Sequence, residues 1–117
     1  MRREVLLIGE MVDAVERILQ LTERTTDADI NADRLRRDAL LWNFTVLGEA
    51  AAQLPRDIQE QHPNVPWQQP SRLRNRIVHG YWSIDVGVLL STAATQLPAF
   101  LDALRAVQAT FEEPPDP

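Results

Sequence analysis

The sequence has no lysine and no cysteine. Without lysine, every permanent side-chain cation is a guanidinium, a planar fork that suits phosphate oxygens and cannot serve as a proton-transfer base. Without cysteine there are no disulfides, thiolate nucleophiles, iron–sulfur ligands or usual structural zinc sites. Histidine occurs twice and tyrosine once, so few groups can carry a proton near neutral pH. Aromatics make up only 6% and do not interleave with basic residues, which argues against base-stacking platforms. No segment approaches the ~20 apolar residues that span a bilayer. The start MRREVLLIG has the look of a signal peptide until Glu10, Asp13, Glu16 and Arg17 interrupt it, so no membrane partner and a cytoplasmic location are expected.

What remains is the composition of a folded chain: 117 residues, 44% hydrophobic and 25% charged. That size suits one core, and one domain over 1–111 is expected, with a disordered tail, EEPPDP, at 112–117. Twelve arginines face 17 acidic residues, for a formal charge of −5. Such a surface repels nucleic acid as a whole, so any polyanion must be met by a local patch.

Helical periodicity dominates. Ile8, Met11, Val12, Val15, Ile18 and Leu19 predict a first helix over about 3–23, and the run Val5–Ile8 is apolar on more than one face. The polar segment TTDADINAD predicts a loop that launches a second helix, capped by Asn31 or an earlier Asp. That helix should reach Leu54 on a stripe of Leu35, Ala39, Trp42, Val46, Ala50 and Leu54, with Pro55 just beyond. A short helix in PRDIQEQ and a turn in HPNVPW follow, with Trp67 plugging the core. A third helix over about 69–78 should end at His79–Gly80, with the glycine as a left-handed stop. Ser83 is expected to cap the next helix with Asp85 in its first turn, and Pro98 to kink it or begin another. No strand or heptad signal is present. The predicted fold is all-α, an antiparallel bundle of four to five helices.

The stretch SRLRNRIVHGYW, 71–82, concentrates the interesting chemistry. On a continuous helix Arg74 and His79 would point about 140° apart. A helix that unwinds at Gly80 would free the imidazole to swing back. His79 could then take the proton of an RNA 2′-hydroxyl while Arg74 neutralises charge on the phosphate, with no metal or other cofactor. No HExxH-type spacing exists, and His62 lies in a separate loop. On residue chemistry alone the plainer reading stands ahead: a histidine favoured by the helix dipole, a packed tyrosine, and arginines at 72, 74 and 76 fanned into solvent.

Arg74-Asn75-Arg76-Ile77-Val78-His79-Gly80-Tyr81 resembles the R-x4-H-x-Y signature of the HEPN superfamily. It resembles in particular the HepT-like toxins paired with minimal nucleotidyltransferase antitoxins. Gly48-Glu49-Ala50 resembles that family's GEA segment, and Pro63-x-x-Pro66-Trp67 its P-x-x-P-W turn, in the same order. The resemblance implies a metal-independent endoribonuclease toxin of a type VII-like toxin–antitoxin pair. It implies Arg74 and His79 as the catalytic pair, Asn75 as a supporting residue, and Tyr81 as the residue that the antitoxin modifies with AMP.

Cleavage by 2′-hydroxyl attack needs both a base and an acid, yet each chain offers one suitable histidine. A homodimer with a composite cleft would supply two, and would gather Arg72, Arg74 and Arg76 into a phosphate-binding patch. AMP on Tyr81 would block that cleft by charge and volume. Glu49 is expected to hold an arginine or a backbone group near the motif rather than to act on RNA, and Trp67 and Trp82 to be packing residues. The alternative function is a non-catalytic module that binds a nucleotide or the nucleotidyltransferase.

Overall fold

The computed structural model describes residues 2–111; the tail 112–117, expected to be disordered, lies outside the described residues. They form seven helices and no strand: α1 (Arg3–Thr22), α2 (Asp27–Ala32), α3 (Arg34–Gln53), α4 (Arg56–Gln61), α5 (Gln68–His79), α6 (Val86–Thr95) and α7 (Leu97–Phe111). The all-α expectation holds, and the number exceeds four to five because α2 and α4 are single short helices of six residues.

α1 is the central rod. It packs against α3 on one side and α7 on another, and α3 in turn carries α5. Ile8, Met11, Val15 and Ile18 face inward with no solvent exposure, and Phe44, Leu47, Leu89 and Leu104 close around them. Each such side chain contributes about 1.5–3 kcal/mol relative to an exposed one. Leu6, in the apolar run at the start of α1, stays half exposed. Leu97, Phe100, Leu101, Leu104 and Val107 are all buried, as their spacing predicts, and Pro98 sits in the first turn of α7, where its missing N–H costs nothing.

Three local expectations are overturned. TTDADINAD is not a loop: Thr26 caps α2 through a reciprocal box with Asp29, and Asp33 then caps α3 by accepting from the Arg36 N–H at 3.2 Å, so Asn31 caps nothing. The buried face of α3 runs through Leu40, Leu41, Phe44, Leu47 and Ala51, while Leu35 and Trp42 are 82% and 66% exposed. The predicted stripe is met only toward its C-terminal end, where Ala50 and Leu54 are buried and Val46 packs against the core. Asp85, not Ser83, caps α6, accepting from the Gly87 N–H at 2.8 Å. The Ser83 hydroxyl instead donates back to the Gly80 carbonyl.

Candidate active site

Gly48 sets the distance between α3 and α5. A Cβ there would stand 2.3 Å from the Arg74 Cβ and 2.5 Å from the Pro70 carbonyl oxygen. The Arg74 side chain can therefore cross bare α3 backbone and reach Glu49, where its Nη1 donates to Oε2 at 2.7 Å. Glu49 Oε1 accepts from Gln53 Nε2 at 2.8 Å, and Gln53 Oε1 accepts from the Arg3 guanidinium. Glu49 thus holds an arginine beside the motif, as expected. The Arg74 Nε is buried without a hydrogen-bond partner, an unmet donor of the kind that costs roughly 1–3 kcal/mol.

Trp67 closes the turn before α5. It is 95% buried in effect, with only 5% exposure, and its indole N–H donates to the His62 carbonyl at 2.9 Å. His62 is thereby a backbone anchor for the turn, well removed from the motif in sequence.

α5 continues without a break through His79. Gly80 adopts φ −136°, ψ 34°, and its N–H still bonds the Arg76 and Ile77 carbonyls at 3.0 and 3.3 Å. The expected left-handed stop is absent because ordinary helical hydrogen bonds carry the chain into the 81–83 turn. The imidazole is therefore not released toward Arg74, and the two side chains leave the helix about 140° apart. Within one chain they do not form a dyad.

His79 instead shares its flank of α5 with Arg72, Asn75 and Arg76, roughly 20°, 40° and 60° away around the axis. All four are exposed. Arg72 donates to Gln68 Oε1 at 3.1 Å, and neither Arg72 nor Arg76 forms an ion pair among the described residues. Arg74 is the member of the arginine triplet that a carboxylate holds; the other two are open to an anion.

Tyr81 lies just past α5, partly buried, and its hydroxyl donates to Asp38 Oδ1 of α3. Arg37 donates to the Tyr81 carbonyl at 2.9 Å and places its guanidinium 5.3 Å from the ring centre. The hydrogen bond to the Asp38 carboxylate pushes the Tyr81 phenol above its ordinary pKa, with desolvation adding to it. Trp82 is not a packing residue: it is 81% exposed, edge-on to Tyr81, with Arg34 5.7 Å from its ring centre. Asp38, Arg34 and Arg37 escaped the sequence reading, since only the antiparallel α3–α5 register brings them to the tyrosine. Among the described residues no three His, Asp or Glu side chains gather in a way that would hold a metal ion.

An all-α bundle with an Arg–x4–His helix docked on a Gly–Glu–Ala helix defines the class. The family profile described as "Ribonuclease HepT-like" matches residues 11–107. The chain belongs to the HepT-like ribonuclease family. It is 29% identical over 92 residues to a Thermococcus cleftensis protein named "Probable ribonuclease HepT", covering 79% of this chain and 84% of that one. It is 31% identical over 91 residues to a Methanocaldococcus jannaschii protein named as a candidate RNase, covering 75% and 84% of the two chains. A Caldanaerobacter subterraneus protein named in the same way is 23% identical over 91 residues, covering 78% and 81%. No solved structure gives a significant match.

Proposed function

We propose that this chain is a metal-independent endoribonuclease that works as a homodimer, with residues 1–111 as its single domain. The observation that carries the reading is the exposed flank of α5, where His79 adjoins two arginines without carboxylate partners while Glu49 fixes a third. One imidazole takes the 2′-hydroxyl proton, the 2′-oxygen attacks the adjacent phosphorus, and the 5′-oxygen leaves with a proton from a second, protonated imidazole. The products are a 2′,3′-cyclic phosphate and a 5′-hydroxyl. Guanidinium groups offset the charge that develops on the phosphate oxygens.

Two features support the composite site. Arg74 and His79 diverge on one helix, so an arginine and a histidine from different copies can meet where two α5 helices face each other. Trp42 and Leu35 of α3 and Val78 within the motif on α5 are exposed apolar side chains, at 66%, 82% and 57%, of the kind a second copy could cover.

The reading extends to regulation. The chain acts as the toxin of a toxin–antitoxin pair, and a minimal nucleotidyltransferase partner silences it by AMP on Tyr81. Support comes from the tyrosine's position two residues past His79 and from its hydroxyl, which Asp38 orients. An oligoribonucleotide incubated in chelator should yield cyclic-phosphate ends, and one with 2′-deoxyribose at the cut position should stay intact. Cleavage of the deoxy-substituted strand would refute the mechanism. Co-expression with the cognate nucleotidyltransferase should add one AMP mass to Tyr81; an unmodified tyrosine would remove the regulatory half, and sedimentation as an active monomer would remove the composite cleft.

A further inference from the structure

A cavity of about 630 Å³ opens along the flank of α5 that carries Arg72 and Arg76. Leu73 of α5, Val88 of α6 and Ala103 of α7 supply its accessible apolar walls over a floor of the buried Phe44 and Leu47, while Thr92 and Gln96 add polar groups from the α6 side. No aspartate or glutamate lines it, although acidic residues outnumber arginines 17 to 12 in the chain. Its two cations are the exposed, carboxylate-free arginines of the site just described. α5 makes no substantial contact with α6 or α7, so the space is a gap between elements rather than a packing flaw within one layer.

The geometry points to this cavity as the seat of one base of the RNA substrate, next to the scissile phosphate. This assignment rests on the ribonuclease reading above. Arg76 and Arg72 lie one helical turn apart, about 6 Å, and Arg76 lies about 4.5 Å along the axis from His79. A strand whose phosphates run along these guanidiniums toward the imidazole leaves one base beside the cavity mouth. The base enters apolar walls, and its edge finds the Thr92 hydroxyl and the Gln96 amide. The volume falls in the range of about 300–1,000 Å³ typical of small-ligand sites. An apolar trough with a guanidinium rim and no carboxylate fits a flat heterocycle attached to an anion, which is what a nucleotide is. It gives the enzyme a way to prefer one base beside the cut without recruiting Trp82 or Tyr81.

The direct test is a nitrogen-15 amide titration of the wild-type protein with adenosine and uridine 5′-monophosphates, and with ribose 5-phosphate as the base-free control. The monophosphates should move the amides of Val88, Thr92, Leu97 and Phe100, whereas ribose 5-phosphate should move only those around Arg72 and Arg76. Thr92→Phe, which fills the cavity, should abolish the first set of shifts, raise KM for RNA about tenfold or more, and change the base preference beside the cut. If the filled variant does not fold, the titration still decides. Cavity amides that ignore both nucleotides, or a folded Thr92→Phe with unchanged KM and base preference, overturn the assignment. So do shifts at those amides that follow protein concentration, since a second copy would then fill the space. Wild-type protein that binds nucleotides there but leaves RNA uncut would sink the ribonuclease reading and spare the cavity.

Discussion

Gly48 has no side chain, and that vacancy decides where Arg74 goes. A methyl group would collide with the Arg74 Cβ and with Pro70 backbone, neither of which is the free end of a flexible chain. Gly48→Ala should therefore cost about 1–3 kcal/mol in urea unfolding despite alanine's better helix propensity. Glu49 acts one step later. Its ion pair with Arg74 is half exposed, so its contribution to stability is small, below about 1 kcal/mol. Its weight falls on orientation: Glu49→Gln should unfold at nearly the wild-type denaturant midpoint while kcat for RNA drops about tenfold and KM changes little. Equal loss of stability and rate would make the residue merely structural. At Tyr81 the sign of the pH effect is fixed by the Asp38 hydrogen bond, which raises the phenol's pKa in the folded chain. Its stabilising contribution is complete below the unfolded value of about 10 and is lost as pH rises through the raised value. Asp38→Asn should flatten that alkaline decline, measured as urea midpoints across pH 8 to pH 11 on the two proteins.

α2 shows how a six-residue helix survives on its cap. Thr26 accepts from the Asp29 N–H at 3.1 Å, and Asp29 accepts from the Thr26 N–H at 3.1 Å. The bond from the Thr26 N–H first, and the nearby Thr26 hydroxyl second, lower the Asp29 carboxyl below its ordinary value. Their support is present above about pH 4 and lost as pH falls through the lowered value. Thr26→Ala should cost roughly 0.5–2 kcal/mol at neutral pH and shrink the acid-side loss, as read from thermal melts at pH 7 and pH 3. The cap residues of α2 were visible in TTDADINAD, but cap chemistry permits several starts, and which one forms depends on Ile30 finding the core. α7 was legible because its single apolar stripe has one solution. α3 was legible only toward its C-terminal end, because its two stripes are equally periodic, and only packing against α1 and α5 chooses Leu40, Phe44 and Leu47 over Leu35 and Trp42. In α5 the residue types of the site could be read from the sequence, whereas their grouping could not. Treating Gly80 as a break put His79 with Arg74, and the unbroken helix puts it with Arg72 and Arg76.

For the molecule as a whole, the charge balance and the site pull in opposite directions. A surface with net charge −5 repels RNA at long range, so binding depends on a local group of arginines that no carboxylate occupies. Those on α5 lie beside the chain's exposed histidine, in a family whose profile matches most of the chain. That coincidence of open cations, a free imidazole and family membership is what the functional account stands on. The most direct measurement is the single-turnover cleavage rate of one defined oligoribonucleotide, in chelator, by the wild-type protein and by a His79→Ala variant with matching circular dichroism and sedimentation. The account predicts a loss of about a hundredfold or more, the usual contribution of a positioned acid–base group. A variant that cuts at the wild-type rate would contradict it.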